Sequence, residues 1–218
     1  MATSAPTSAA RVSSRSVAVG VPDGGPRGWR MLTGDETGWL LGDYLLSQLT
    51  DPSSALVAST VVSSRMLSAI AASYGAQHAE TLTGFKWLAR ATAPGTALVY
   101  AYEEAIGHCV DPDAVRDKDG ISAAVLICDL VAALRARGRT ITDALDDLAR
   151  RHGVHLTGAV SRRVPDAGQA MAALRADPPA ALAGIAVDLD DLSRRRGQQR
   201  TDALVFTGAG IRVVVRPS

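Results

Sequence analysis

From residue 56 to residue 137 the chain alternates between short β-branched runs and helical periods, and this alternation restricts it to a sheet flanked by layers of helix. Residues 56–62 are largely β-branched and apolar and read as a buried strand. A helix over 64–74 follows, with Met66, Ile70 and Tyr74 on one face and Gly75 at its end. A second strand–helix unit begins near Glu80, and Thr83 or Gly84 opens a helix over 85–91. Residues 97–102 read as a further strand. The helix over 121–137 is apolar on nearly every side through Val125, Leu126, Ile127, Leu130, Val131 and Leu134. Such a helix is expected to lie buried against the sheet, with Cys128 as a core thiol.

The flanks extend this pattern. Residues 16–21 read as a strand ended by the turn signal Pro22-Asp23-Gly24-Gly25. A helix over 37–49 presents Leu40, Leu41, Tyr44 and Leu45, and Asp35 and Glu36 suit the positive end of its dipole. Thr140 with Asp143 three residues later opens a capped helix that ends at Gly153. From Val154 the texture changes to a β segment over 155–163 and a helix over 166–176. Strands over 185–189, 203–207 and 211–215 complete a second domain, with Thr207-Gly208-Ala209-Gly210 as a hairpin turn.

Charge excludes several function classes. With 23 basic and 22 acidic residues the net charge is +1, so no overall field draws the chain to nucleic acid or to an anionic membrane. The run Arg194–Arg196 has no aromatic residues interleaved to stack on bases. No stretch reaches the roughly 18 apolar residues that a membrane span requires. Two cysteines give no disulfide framework and fit a reducing cytoplasm. Cys109 follows His108, but nothing nearby completes a catalytic triad.

Three polar signatures interrupt the apolar pattern: Thr-Gly-Phe-Lys at 83–86, Glu-Glu-Ala-Ile-Gly at 103–107 and Arg-Asp-Lys-Asp-Gly at 116–120. Each has a glycine beside its charges, so each loop can turn tightly or let the backbone approach a ligand. Charges that recur this closely are expected to converge on a pocket. The stretches TLTGFKWL (81–88), YAYEEAIG (100–107) and VRDKDGISA (115–123) together resemble the phosphohexomutase family, the phosphoglucomutases and phosphomannomutases.

The resemblance implies a layered α/β/α phosphohexomutase-type domain with partial flanking domains. Residues 1–16 would be a disordered leader and 17–55 the C-terminal part of the second mutase domain. Residues 56–153 would be the third, sugar-binding domain, and 154–218 the N-terminal part of a truncated fourth, phosphate-binding domain. The implied reaction is phosphoryl transfer between C1 and C6 of a glucose or mannose phosphate, through a phosphoserine and Mg²⁺. Glu103 would accept hydrogen bonds from sugar hydroxyls, with Glu104 beside it, and Ala105 stands where the family often has serine. Lys118 would approach the transferring phosphate as a catalytic point charge. Arg116 would join it or serve a local ion-pair network, and Lys86 would either meet an anion or sit on a helix surface. The terminal Arg-Pro-Ser matches the opening of the family's phosphate loop, with Arg216 and Ser218 as anion ligands.

Other parts of that machinery are expected to be missing. The family's metal-holding aspartates would fall near Ala10, Val12 and Ser14, ahead of Arg15, and these side chains do not suit Mg²⁺. The chain alone is therefore expected to be inactive. A sugar-phosphate-binding module, completed by another chain or self-associating through its fourth-domain portion, is the alternative. A nucleotide-binding domain is disfavoured, because no glycine-rich phosphate loop follows a strand.

Overall fold

The uncharged run at 55–60 is buried at every position, which makes it the natural centre of a sheet. In the computed structural model, which describes residues 9–22, 28–197 and 200–217, this run is strand β4 (Ala55–Thr60), counting from three earlier strands. It pairs in parallel with β5 (Gln77–Thr81) on one side and β6 (Ala97–Glu103) on the other. A short antiparallel strand, β7 (Gly107–Cys109), returns along β6 and completes the order β5-β4-β6-β7. Residues 1–8 of the expected disordered leader lie outside those described, as do Asp23, Gly24 and Gly25 of the first turn, but residues 9–12 are ordered as a strand paired antiparallel with residues 17–20.

Helices cover the two faces unequally. One face packs against α1 (Gly34–Gln48), α2 (Met66–Ser73), α4 (Gly120–Arg135) and α5 (Ile141–His152), around Val57, Tyr100 and Tyr102. The other carries a single turn, α3 (Phe85–Leu88), over Ala58, Ala101 and Cys109. A meander of β1 (Ala9–Val12), β2 (Val17–Pro22) and β3 (Trp29–Met31) precedes α1. Val17, Val19 and Val21 of β2 lie in the same hydrophobic cluster as Tyr100 and Ile127, so residues 17–55 share one core with the sheet.

α1 lies against β6 through a row of glycines. A Cβ on Gly34 would stand 2.0 Å from the backbone oxygen of Glu104, one on Gly38 2.5 Å from the Tyr102 ring, and one on Gly42 2.4 Å from Leu67 and 3.4 Å from Tyr100. Four helical residues advance about 6 Å and two strand residues about 6.7 Å, so the spacings match. Thr33 and Glu36 close a capping box on α1, and Arg30 donates to both oxygens of Glu36. Thr140 and Asp143 cap α5 in the same way, as the sequence predicts.

Two expectations need correction. α4 buries Ala123, Ile127, Leu130 and Leu134, but Ile121 and Val125 are 61% and 66% exposed and Cys128 is exposed beside them. An apolar helix surface is buried only where a neighbour covers it, and α1, β1, β2 and β7 lie along one side of α4. Residues 155–163 form no strand, because no ladder partner lies alongside them, and Val154, Leu156 and Val160 are exposed. No helix among the described residues is long and apolar enough to cross a membrane.

The chain divides into two compact units, Met1–Thr157 and Gly158–Ser218. In the second, α6 (Ala167–Ala176) lies on an antiparallel sheet ordered β11-β10-β9-β8, made of β8 (Ala181–Leu182), β9 (Ile185–Asp191), β10 (Leu204–Gly208) and β11 (Ile211–Val215). Met171, Leu204 and Phe206 form its core. Arg175 ties the helix to Asp191 at 3.2 Å and also pairs with Asp202.

Candidate functional site

Parallel strands present their C-terminal ends to one edge of a sheet, and that edge is where β6 gives way to the motif at 103–107. Glu103 is the last residue of β6 and pairs with Gly107 of β7, so residues 104–106 form a three-residue turn. Ile106 takes a positive φ of 56°, and its carbonyl accepts from Val17 N at 3.3 Å, which closes the turn against β2. Gly107 is needed here for space. A Cβ on it would lie 2.4 Å from Lys118 Cδ and 2.9 Å from Glu103 Oε1.

Through that gap Lys118 Nζ reaches Glu103 Oε1 at 2.9 Å, with the two side chains 28% and 13% exposed. Lys118 is held by its surroundings. Asp119 N donates to the carbonyl of His108 at 2.8 Å, and the Asp119 carboxylate caps α4 by accepting from Ile121 N and Ser122 N. The Ser122 hydroxyl holds the Asp119 carboxyl below its usual range. Gly120 lets the backbone of Ser13 and Ser16 approach α4, since a Cβ there would meet Ser13 O at 2.2 Å.

The other expected site residues are placed as follows. Phe85 of α3 lies under the pair, with its ring centroid 5.9 Å from Lys118 Nζ. Lys86, next to it, is exposed and stacks its ammonium 5.0 Å from the Trp87 ring. Glu104 turns to the opposite side of the strand end and accepts from Thr60 Oγ1 at 3.0 Å and Ser63 Oγ at 3.1 Å. Arg116 is exposed on the same loop as Lys118. Arg216 is exposed in the second unit, and Ser218 lies outside the described residues. Thr60 and Ser63 were not singled out from the sequence. A signal for the lysines was available in composition, because only two of the 23 lysine and arginine residues are lysines, and these are Lys86 and Lys118.

Beneath this edge lies a buried polar column. Tyr102 donates to Asp35 Oδ1 at 2.8 Å, which also accepts from Ser64 N at 2.9 Å. The rings of Tyr100, Tyr102 and His108 lie near-parallel with centroids 6.2–6.3 Å apart, and Tyr100 Oη is 2.9 Å from His108 Nδ1. Burial pushes both tyrosines well above their ordinary range, and the Asp35 carboxylate adds to this at Tyr102. Burial lowers His108 to about 3, so its imidazole is neutral. The Cys109 thiol is raised to about 11, by burial first and then by Asp111, Asp117 and Asp119, and it donates to Val115 O at 3.3 Å. A thiol held this way is a poor nucleophile.

The metal expectation concerns the turn after β1. Ser14 gives its backbone oxygen to Gly120 N at 3.3 Å, and Arg15 lies 3.8 Å from Asp117 in an exposed pair. Alanine, valine and serine at 10, 12 and 14 do not make a donor set suited to Mg²⁺. Among the described residues no cluster of three or more His, Cys, Asp or Glu could hold a metal ion.

Residues 33–152 match the family model described as phosphoglucomutase/phosphomannomutase, alpha/beta/alpha domain III. Over 206 residues the chain is 41% identical to a probable phosphomannomutase of Haemophilus influenzae, covering 93% of this chain and 41% of that protein. Over 142 residues it is 37% identical to a human phosphopentomutase, covering 60% and 23%. In fold it is similar to the open form of a Paramecium phosphoglucomutase, pp63/parafusin, with a TM-score of 0.69 at 17% identity over 97% of this chain and 38% of that one. A putative phosphomannomutase from Thermus thermophilus gives a TM-score of 0.59 at 21% identity, over 91% and 39%. The chain thus spans about two fifths, or less, of the length of these relatives.

Proposed function

The chain belongs to the phosphoglucomutase/phosphomannomutase family, and from that premise we propose that Glu103 and Lys118 form the sugar-recognition site for phosphoryl transfer between C1 and C6 of a hexose phosphate. The observation that carries this is the 2.9 Å pairing of two motif residues across a glycine whose missing side chain makes room for it. An ionised carboxylate offers about four lone-pair directions, so Glu103 retains acceptors for vicinal sugar hydroxyls while it holds Lys118. The ammonium has three donors and spends one on Glu103, which leaves two for phosphate oxygens. Charge stabilisation of this kind, together with positioning, supplies most of the rate in phosphoryl transfer. Lys86, exposed on α3, and Arg116, exposed on the loop that carries Lys118, add positive charge beside the pair. Ala105 stands in the turn where the family often has serine, so one hydroxyl contact is absent, and the remaining motif residues suit a glucose or a mannose phosphate.

In this reading residues 56–153 are the sugar-binding domain, and Arg216 and Ser218 belong to a phosphate-clamping loop in the following one. The 218 residues bind a hexose phosphate but do not turn it over unaided, a reading supported by Ala10, Val12 and Ser14 at positions where Mg²⁺ needs carboxylates.

Calorimetric titration with glucose 6-phosphate and mannose 6-phosphate tests the site. Binding by the wild type, lost in Glu103→Ala and in Lys118→Ala, is the expected result. No heat at millimolar ligand, or equal binding by both variants, overturns it. Conversion of glucose 1-phosphate by the purified chain with Mg²⁺ and a bisphosphate primer would refute the lack of turnover.

A further inference from the structure

Neighbouring residues at the end of a strand point to opposite faces, so fixing one side chain fixes the other. Glu103 points towards Gly107 and Lys118, and Glu104 points back towards Thr60 and Ser63. The two hydroxyls belong to residues only 1% and 4% exposed, Thr60 at the end of the central strand β4 and Ser63 in the turn that follows it. They lie 2.8 Å from each other as well as 3.0 and 3.1 Å from Glu104 Oε2. Two protons therefore serve three short contacts, and at least one is always given to the carboxylate. Ser63 Oγ also accepts from Glu104 N at 3.3 Å, so backbone and side chain of one residue are gripped together.

We propose that Glu104 is a positioning residue, a latch whose engagement with Thr60 and Ser63 holds the end of β6 in the register that aims Glu103 at Lys118. This departs from the expectation that Glu104 touches the sugar, and it rests on the proposed sugar-phosphate reading for its consequence in binding. Without the latch the strand end can twist, and a twist that moves Glu104 outward carries Glu103 away from Lys118. Hydrogen bonds to an ionised group in a half-buried setting are strong enough for their loss to matter about tenfold in the population of the aligned state.

The test uses the full chain and reads the pair directly. Lys86 and Lys118 are the only lysines, so acylation by acetic anhydride followed by mass spectrometry compares Lys118 with an internal reference. In Glu104→Ala, and independently in the double variant Thr60→Val/Ser63→Ala, acylation of Lys118 rises about tenfold relative to Lys86, and glucose 6-phosphate affinity falls by a similar factor. Glu104→Gln keeps an oxygen acceptor for both hydroxyls and stays within about twofold of wild type on both readouts. That rescue separates the latch from a simple loss of charge. Ser63→Ala alone, a smaller change, serves if the double variant does not fold.

Unchanged protection of Lys118 in Glu104→Ala overturns the proposal. So does equal loss of affinity in Glu104→Gln and Glu104→Ala with normal binding in Thr60→Val/Ser63→Ala, the pattern of a residue that touches ligand. If the wild type binds no hexose phosphate, the functional reading fails, and the acylation ratios still decide whether the latch exists.

Discussion

Replacing Gly107 by alanine separates the recognition pair from the stability of the fold. The new methyl would stand 2.4 Å from Lys118 Cδ, 3.0 Å from Lys118 Cγ and 2.9 Å from Glu103 Oε1. Carbon atoms rest at about 3.5–4.0 Å from one another, so the lysine stem must move by more than about 1 Å. A 2.9 Å bond stretched by that amount is no longer a hydrogen bond. The atoms displaced are the middle of a flexible side chain, so the fold accommodates them for about 1 kcal/mol, or about 2–4 °C of melting temperature in a unit of this size. The recognition pair fares worse. A hydrogen bond to a charged group contributes about 1.5–3 kcal/mol, so affinity for glucose 6-phosphate falls roughly ten- to a hundredfold. Thermal melting and calorimetry on the same preparation read the two effects. Wild-type affinity in Gly107→Ala would refute the claim that the glycine exists to admit Lys118. A fall of about 10 °C would show that the methyl strikes backbone and not the lysine.

Two further outcomes follow from the packing and from the histidines. Gly34→Ala brings a methyl against the Glu104 carbonyl at 2.0 Å, a backbone atom that cannot swing aside, so it destabilises by about 3 kcal/mol or more while Gly158→Ala, with nothing near it, melts as wild type. Acid titration gives the second: burial, with a lesser contribution from Arg65, lowers His78 to about 4, and burial alone lowers His108 to about 3. The unfolded chain binds these protons near pH 6.5 and the folded chain does not, so their stabilisation is fully present above about pH 6.5 and is lost as pH falls through 4 and then 3. Each contributes a slope of at most about 1.4 kcal/mol per pH unit, less for the partly exposed His78, and urea midpoints that stay level from pH 7 to pH 4 would contradict it.

The parts legible in the sequence were those whose cause is local. β4 announces itself because a strand buried on both faces carries no charged residue and only small polar ones, Ser59 and Thr60, at its end. The capping box at Thr140 and Asp143 is a four-residue pattern with its own hydrogen bonds. Glu103 and Lys118 are only fifteen residues apart and joined by a hairpin, so their meeting needed little beyond β7 turning back on β6. What escaped reading depends on distant neighbours. Ile121, Val125 and Cys128 differ from Ile127 and Leu130 only in which side of α4 is covered, and composition is blind to that. Two consecutive glutamates read alike in a sequence. Their roles divide because Thr60 and Ser63, over forty residues earlier, stand on one side of the strand end. β1, β3 and β7, of three or four residues each, are too short for any period to show.

The glycines at 34, 38 and 42 make α1 work like a toothed rack engaged with β6. With no side chain between them to absorb error, a helix laid down seventy residues earlier sets the height at which the turn at 104–106 stands. Inserting or deleting one residue between Gly34 and Gly42 would put the glycines on either side of the change out of step with each other. The turn should therefore tolerate changes at its exposed tip, Ala105, far better than changes in the helix that gauges its position.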